Sequence, residues 1–316
     1  MLDVSGDPAC ARFGGSYYLY LPEQVRRDGV PVGGRVIAYT SDDLVDWTSI
    51  GEVYDNVDVS RGGQSTIGLW APAVLKHGDT YYLYYAEVMS NPADDEVGDK
   101  DIVVVESNDP GNFKGGDRTV LLDGAYAFID PSPFRDPGTG DLYLYFKGRG
   151  AADTGSEIRV RPMASPTAFG GPGTRLVDSE TVPNADHTVE QPMAWRAGDV
   201  HYLLYSRGSG SGTGYHIPYL TSNRPTGPFT ERGVLFESDA DLTGDLSKKV
   251  ISPGSSSIVR DGAGRPWVVY RQKTTTADTF ADRCVCIDPV EFQPAARSMT
   301  GRPTKGVRRP GPTPLD

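Results

Sequence analysis

The chain has 316 residues and carries 42 Asp or Glu against 31 Lys or Arg, a net charge of −11. An acidic surface repels phosphate backbones and anionic lipid, so nucleic acid and membrane are not expected partners. No stretch reaches the ~18 apolar residues needed to span a bilayer.

Taken in chain order, one phrase returns five times: a glycine turn, then aromatic and aliphatic residues in strand-like alternation. The copies are GGSYYLY from Gly14, HGDTYYLYY from His77, TGDLYLYF from Thr139, AGDVHYLLY from Ala197 and GAGRPWVVY from Gly262. Their matching positions Tyr18, Tyr82, Tyr143, Tyr202 and Trp267 lie 64, 61, 59 and 65 residues apart by subtraction. A fixed period of this size marks one supersecondary unit, repeated and stacked. Each unit is long enough for about four strands of about 5–6 residues. The expected fold is all-β, a five-bladed β-propeller with four-stranded antiparallel blades around a central axis. Residues 1–300 form one propeller domain in this reading, and 301–316 form a Pro/Gly-rich tail with a loose end. A second series, Trp47, Phe113, Phe169, Phe229 and Phe292, follows the same period in polar turns, and is expected to pack neighbouring blades together.

About a dozen residues before each hairpin lies a recurring slot: Gly6-Asp7-Pro8, Trp70-Ala71-Pro72, Ile129-Asp130-Pro131, Glu190-Gln191-Pro192 and Ser252-Pro253-Gly254-Ser255. Counting to the aromatic gives offsets of 11 from Asp7, 11 from Ala71, 13 from Asp130 and 12 from Glu190. If the slot opens the innermost strand of each blade, all five face one axial mouth. Three slots carry carboxylates, Asp7, Asp130 and Glu190. Singly, each reads as a turn or loop residue. In a shared phase they converge. Two carboxyl groups in opposite protonation states are what glycoside hydrolysis needs.

Cys10, Cys284 and Cys286 are an odd number. Ring closure can bring Cys10 near Cys284, but buried free thiols are the expectation, and Cys-x-Cys without further ligands is no zinc signal. The opening Met1 to Gly6 is no secretion leader, which leaves a cytoplasmic chain or one whose leader has been removed. Few residues precede Asp7, so either the fifth blade closes itself or upstream residues are missing.

The ordered set GDP then GGSYYLY, LWAPAVLKHGDTYYLYYA, IDPSPFRDPGTGDLYLYF and VEQPMAWRAGDVHYLLYS resembles glycoside hydrolase family 43, from Asp7 to about Thr304. That family comprises five-bladed arabinofuranosidases, arabinanases and xylosidases. The resemblance implies inversion, with Asp7 as general base, Glu190 as general acid and Asp130 as the residue that orients the acid and tunes its pKa. An anionic Asp130 near Glu190 is expected to raise the Glu190 pKa. Pentosyl linkages are the expected substrates, an α-L-arabinofuranoside first and a β-D-xyloside second, in an oligosaccharide or polysaccharide acted on by a monomer. No cofactor is required. In SPGSSSIV, Ser255 stands where the family often has a histidine near a central metal, so a central calcium is doubtful. Trp70, Phe128, His187 and Arg271 are candidate substrate-binding residues, and Tyr215, after the run 208–214, is a candidate on a rim loop. Stretches 55–66, 90–101 and 206–215 are expected to set specificity. Two other readings compete. A retaining, fructan-hydrolase-like enzyme is suggested by the Arg135-Asp136-Pro137 triplet, although Asp136 is expected in a hairpin away from the mouth. A non-catalytic glycan-binding propeller would lack at least one of the carboxylates.

Overall fold

The computed structural model describes residues 3–4, 6–90, 97–123, 128–149, 155–182, 188–303 and 311–315. It contains five antiparallel sheets of four or five strands. Their first strands, Ala9–Phe13, Gln64–His77, Ile129–Arg135, Val189–Ala197 and Gly254–Arg260, touch one another in a closed ring. The chain is a five-bladed propeller. Each innermost hairpin turns on a glycine with positive φ (Gly14, Gly78, Gly140, Gly198, Gly264), a conformation that a side chain disfavours.

The core is five separate clusters, one between each pair of adjacent blades. Alternation in the second strand divides side chains between two of them. Tyr17, Leu19 and Leu21 face blade five, whereas Tyr20 faces blade two. The periodic aromatics Trp47, Phe113, Phe169, Phe229 and Phe292 each join a different cluster. Equivalent tyrosines also hook blade to blade. The hydroxyls of Tyr20, Tyr84 and Tyr145 donate to the carbonyls of Pro110, Pro166 and Pro225, at 2.9, 2.6 and 2.5 Å. Such bonds satisfy a phenol that would otherwise be buried without a partner.

The ring closes in blade five. Asp3–Val4 pairs with Cys284 and Arg283 on the strand Arg283–Gln293, and Ser298–Gly301 pairs with the far end of the same strand. Both ends of the propeller chain thus share the outermost position. The tail departs from expectation, since its described residues 311–315 are pinned across the seam. Gly262 N donates to Thr313 O, Thr313 N to Asp261, and Leu315 N to Asp42 O. Leu315 packs against the cluster between blades five and one. Cys10 is buried, and the Cys284 and Cys286 sulfurs lie 3.9 Å apart on one face of their strand.

Candidate active site

In four blades the slot is a β-bulge. Register shifts fall at Trp70/Ala73, Ile129/Ser132, Glu190/Met193 and Gly254/Ser257. At each, one residue adopts left-handed backbone: Ala71 (φ 46), Asp130 (φ 58), Gln191 (φ 53) and Ser255 (φ 52). A bulge re-aims side chains, and non-glycine residues held in this conformation mark a strained, functional position. The bulges also correct the sequence register. The blade-four equivalent of Ala71 and Asp130 is Gln191, and Glu190 precedes it by one residue. Counting from the hairpin concealed this because the hairpins differ in length. The residue before the bulge, Glu190, is the one that meets Lys147 and Tyr215.

Asp7, Asp130, Glu190, Gln191, Trp70 and Arg271 line one cavity of about 720 Å³ at the mouth of the ring. Gln191, which the sequence reading passed over, ties two carboxylates together. Its Nε2 donates to Asp7 Oδ2 at 2.9 Å and to Asp130 Oδ1 at 2.8 Å, while its backbone N donates to Asp130 Oδ2 at 3.0 Å. Asp7 Oδ1 accepts from Arg271 Nε at 2.7 Å and from the Ser255 hydroxyl. Burial alone would raise the Asp7 carboxyl, but Arg271, then Arg283, and the Ser255 bond bring it below the usual range. Asp7 is therefore held ionised.

Glu190 sits among other donors. Lys147 Nζ reaches its Oε2 at 2.7 Å, and the Tyr215 hydroxyl donates to Oε1 at 2.7 Å. Burial, then Glu190, drives Tyr215 well above its ordinary range, so it is a neutral donor. Burial opposes the Lys147 cation, but Glu190 and Asp130 hold it charged. Asp130 is pushed well up, first by burial and then by the Glu190 carboxylate, with Lys147 opposing. Asp130 is thus the buried carboxyl whose proton affinity burial and the nearby Glu190 carboxylate raise.

Repeat symmetry explains how the cations arrive. Ile129 pairs with Lys147 and Gly254 with Arg271, so both cations occupy one position of the second strand, in blades three and five. Each reaches the carboxylate of the next blade around the ring. Lys147 lies four residues after Tyr143, as Arg271 lies four after Trp267. That phase was the available signal for Lys147. Tyr215 is buried and hydrogen-bonded rather than a rim platform. It fits because Gly254 faces it: a Cβ there would lie 2.0 Å from the Tyr215 ring. The Arg271 guanidinium lies 4.6 Å from the centroid of the same ring.

Trp70 stands 38% exposed on the cavity wall, with Lys100 Nζ 6.0 Å from its ring centroid. Phe128 instead packs at 5.7 Å on Phe146, in the cluster between blades two and three, and is not in the cavity lining. It is half-buried against that cluster, one residue before the strand Ile129–Arg135. His187 lies outside the described residues. Asp136 is engaged by Arg196 at 2.6 Å and His201 at 2.9 Å, in the hairpin and away from the cavity. A narrower space of about 120 Å³ continues along the inner strands, lined by Asp7, Asp130, Gln191, Ser256 and several prolines. Among the described residues no three His, Cys, Asp or Glu side chains converge as metal ligands. Ser255, in the position where the resemblance places a histidine, is committed to Asp7. No chemical step is routed through a metal.

The sequence profile of glycosyl hydrolases family 43 matches residues 3–295. The chain belongs to this family. Among curated family 43 relatives, arabinan endo-1,5-α-L-arabinosidase A of Aspergillus niger is 28% identical over 261 residues, 77% of each chain. A β-D-galactofuranosidase of Aspergillus niger is 24% identical over 318 residues, 93% of this chain and 81% of the relative. In structure, a thermostable family-43 glycoside hydrolase superposes with a TM-score of 0.79 at 23% identity, covering 97% of this chain and 95% of the other. Family 43 membership makes the protein an inverting glycoside hydrolase with a carbohydrate substrate. It sets aside both the retaining alternative and the non-catalytic propeller.

Proposed function

We propose that the cavity hydrolyses a pentosyl linkage, with Asp7 as general base, Glu190 as general acid and Asp130 as the residue that orients and tunes Glu190. One observation carries this: three carboxylates from three blades meet in one cavity in different electrostatic settings. Asp7, held ionised by Arg271 and Ser255, is suited to take a proton from water. Glu190, in the cavity lining, is held in place by Lys147 at one oxygen and Tyr215 at the other, which supports a fixed position beside the leaving oxygen. Lys147 lies against Glu190 Oε2, where it also steadies the carboxylate left after proton transfer.

The substrate proposed first is an α-L-arabinofuranoside. The arabinan endo-1,5-α-L-arabinosidase likeness supports it. A β-D-xyloside is second. The galactofuranosidase likeness keeps furanosides as the wider class.

The test is turnover of aryl α-L-arabinofuranoside and β-D-xyloside, with NMR of the first-formed anomer. Inversion is expected, and retention overturns the role given to Asp7. Glu190→Gln should slow substrates with poor leaving groups by about 10²–10⁴-fold and activated aryl glycosides far less. Equal loss on both removes the acid role. Asp7→Asn should abolish turnover on every substrate while sugar binding, followed by calorimetry, persists.

A further inference from the structure

We propose that the cavity receives an acidic saccharide, and that Arg283 binds the carboxylate of a uronic acid residue beside the bond that is cleaved. The proposal rests on the glycosidase reading of this cavity and adds the chemical class of its neighbouring sugar.

Arg283 lines the cavity and is 5% exposed. Its side chain makes no hydrogen bond or ion pair among the described residues, and its Nε is buried without a partner. The Phe280 ring lies beside it, with the guanidinium 5.0 Å from the centroid. Asp7 and Glu190 act on it only through space, and the neighbouring Arg271 repels it. A guanidinium that lines a cavity without an ion pair invites an anion, and its planar geometry matches a carboxylate in a two-pronged bond. Arg271 Nη1, beside it, is also buried without a partner.

The opposite wall repeats the pattern. The Lys100 ammonium makes no hydrogen bond or ion pair among the described residues and stands over Trp70. Burial, then Lys147 and Arg149, pulls its pKa down. The cavity is thus lined by Lys100, Lys147, Arg149, Arg271 and Arg283 against Asp7, Asp130 and Glu190. This reverses the balance of a chain whose net charge is −11. A cationic recess in an acidic molecule focuses anions into it. Phe280, 62% exposed on the same wall, offers an apolar face for the ring that carries the carboxylate.

The test is calorimetry on the full chain with matched probes: glucuronate against glucose, galacturonate against galactose, and acetate alone. At least one uronate should bind about tenfold or more tightly than its neutral counterpart, as a charge-assisted bond predicts. Added salt should erode the difference. Arg283→Gln should abolish it, and Arg283→Lys, which keeps the charge without the fork, should retain part. The comparison on the unaltered chain needs no variant to fold. Uronates that bind no better than hexoses overturn the proposal, as does acetate that binds as well as the uronates. A preference that survives in Arg283→Gln, with only the acidic limb of the pH profile displaced, assigns Arg283 to Asp7 and overturns it too. Binding is read without turnover, so failure on aryl pentosides and failure here are separate results.

Discussion

At the scale of single residues, the cavity treats similar carboxyl groups unequally. Asp7 is lowered by Arg271 and Arg283 against the effect of burial, while Asp130 is raised by burial and by Glu190. A base whose pKa is depressed stays active down to lower pH, and loses function as pH falls through that value. Arg271→Met should therefore move the acidic limb of kcat/KM to higher pH, because Asp7 then protonates earlier. An unmoved limb would separate Arg271 from the ionisation of Asp7. Gln191 offers a second check. It holds a left-handed backbone that costs a non-glycine residue roughly 1–2 kcal/mol, yet its amide bridges Asp7 and Asp130. Gln191→Gly should leave the melting temperature unchanged or higher, while kcat/KM falls about tenfold or more and the acidic limb shifts upward. Unchanged activity would make the bridge incidental.

At the scale of elements, the repeated hairpin made most of the fold legible. Five glycine turns, five aromatic phases and five slots corresponded to five blades and five inter-blade clusters. The carboxylates and Arg271 could be read because each occupies a repeat position with its own residue type. What the repeat hid was the bulge. Its residue is Asp130 in blade three but Gln191 in blade four, so Glu190 stands one position earlier, a difference that a count taken from hairpins of unequal length does not mark. The repeat also misplaced Tyr215. A glycine-rich run suggested an exposed ring, but the ring is buried because Gly254, in another blade, leaves room for it. Phe128 was misassigned for the converse reason, since nearness to Asp130 in sequence does not decide which side of the sheet edge it faces. Gly254→Ala tests this packing. The added methyl must displace Tyr215, so Glu190 loses a hydrogen bond and turnover should drop, with the change visible in near-ultraviolet circular dichroism.

At the scale of the whole molecule, the seam between blades five and one differs from the other four. It is stitched by the chain ends, with Asp3–Val4 on one side and Thr313 to Leu315 on the other. Gly262 makes the second stitch possible, since a Cβ there would lie 1.9 Å from the Pro314 carbonyl. Gly262→Ala should release the tail and destabilise the protein by about 1–3 kcal/mol, read as a lower melting temperature with activity retained below it.

The seam also has a kinetic meaning. Asp3 pairs with Cys284 across almost the full length of the chain, a loop that is entropically costly to close. A junction closed over so long a loop is expected to form after the local hairpins and to open before them. Amide exchange should therefore appear first at Val4, Cys284 and Leu315, well before the second strands of blades two to four.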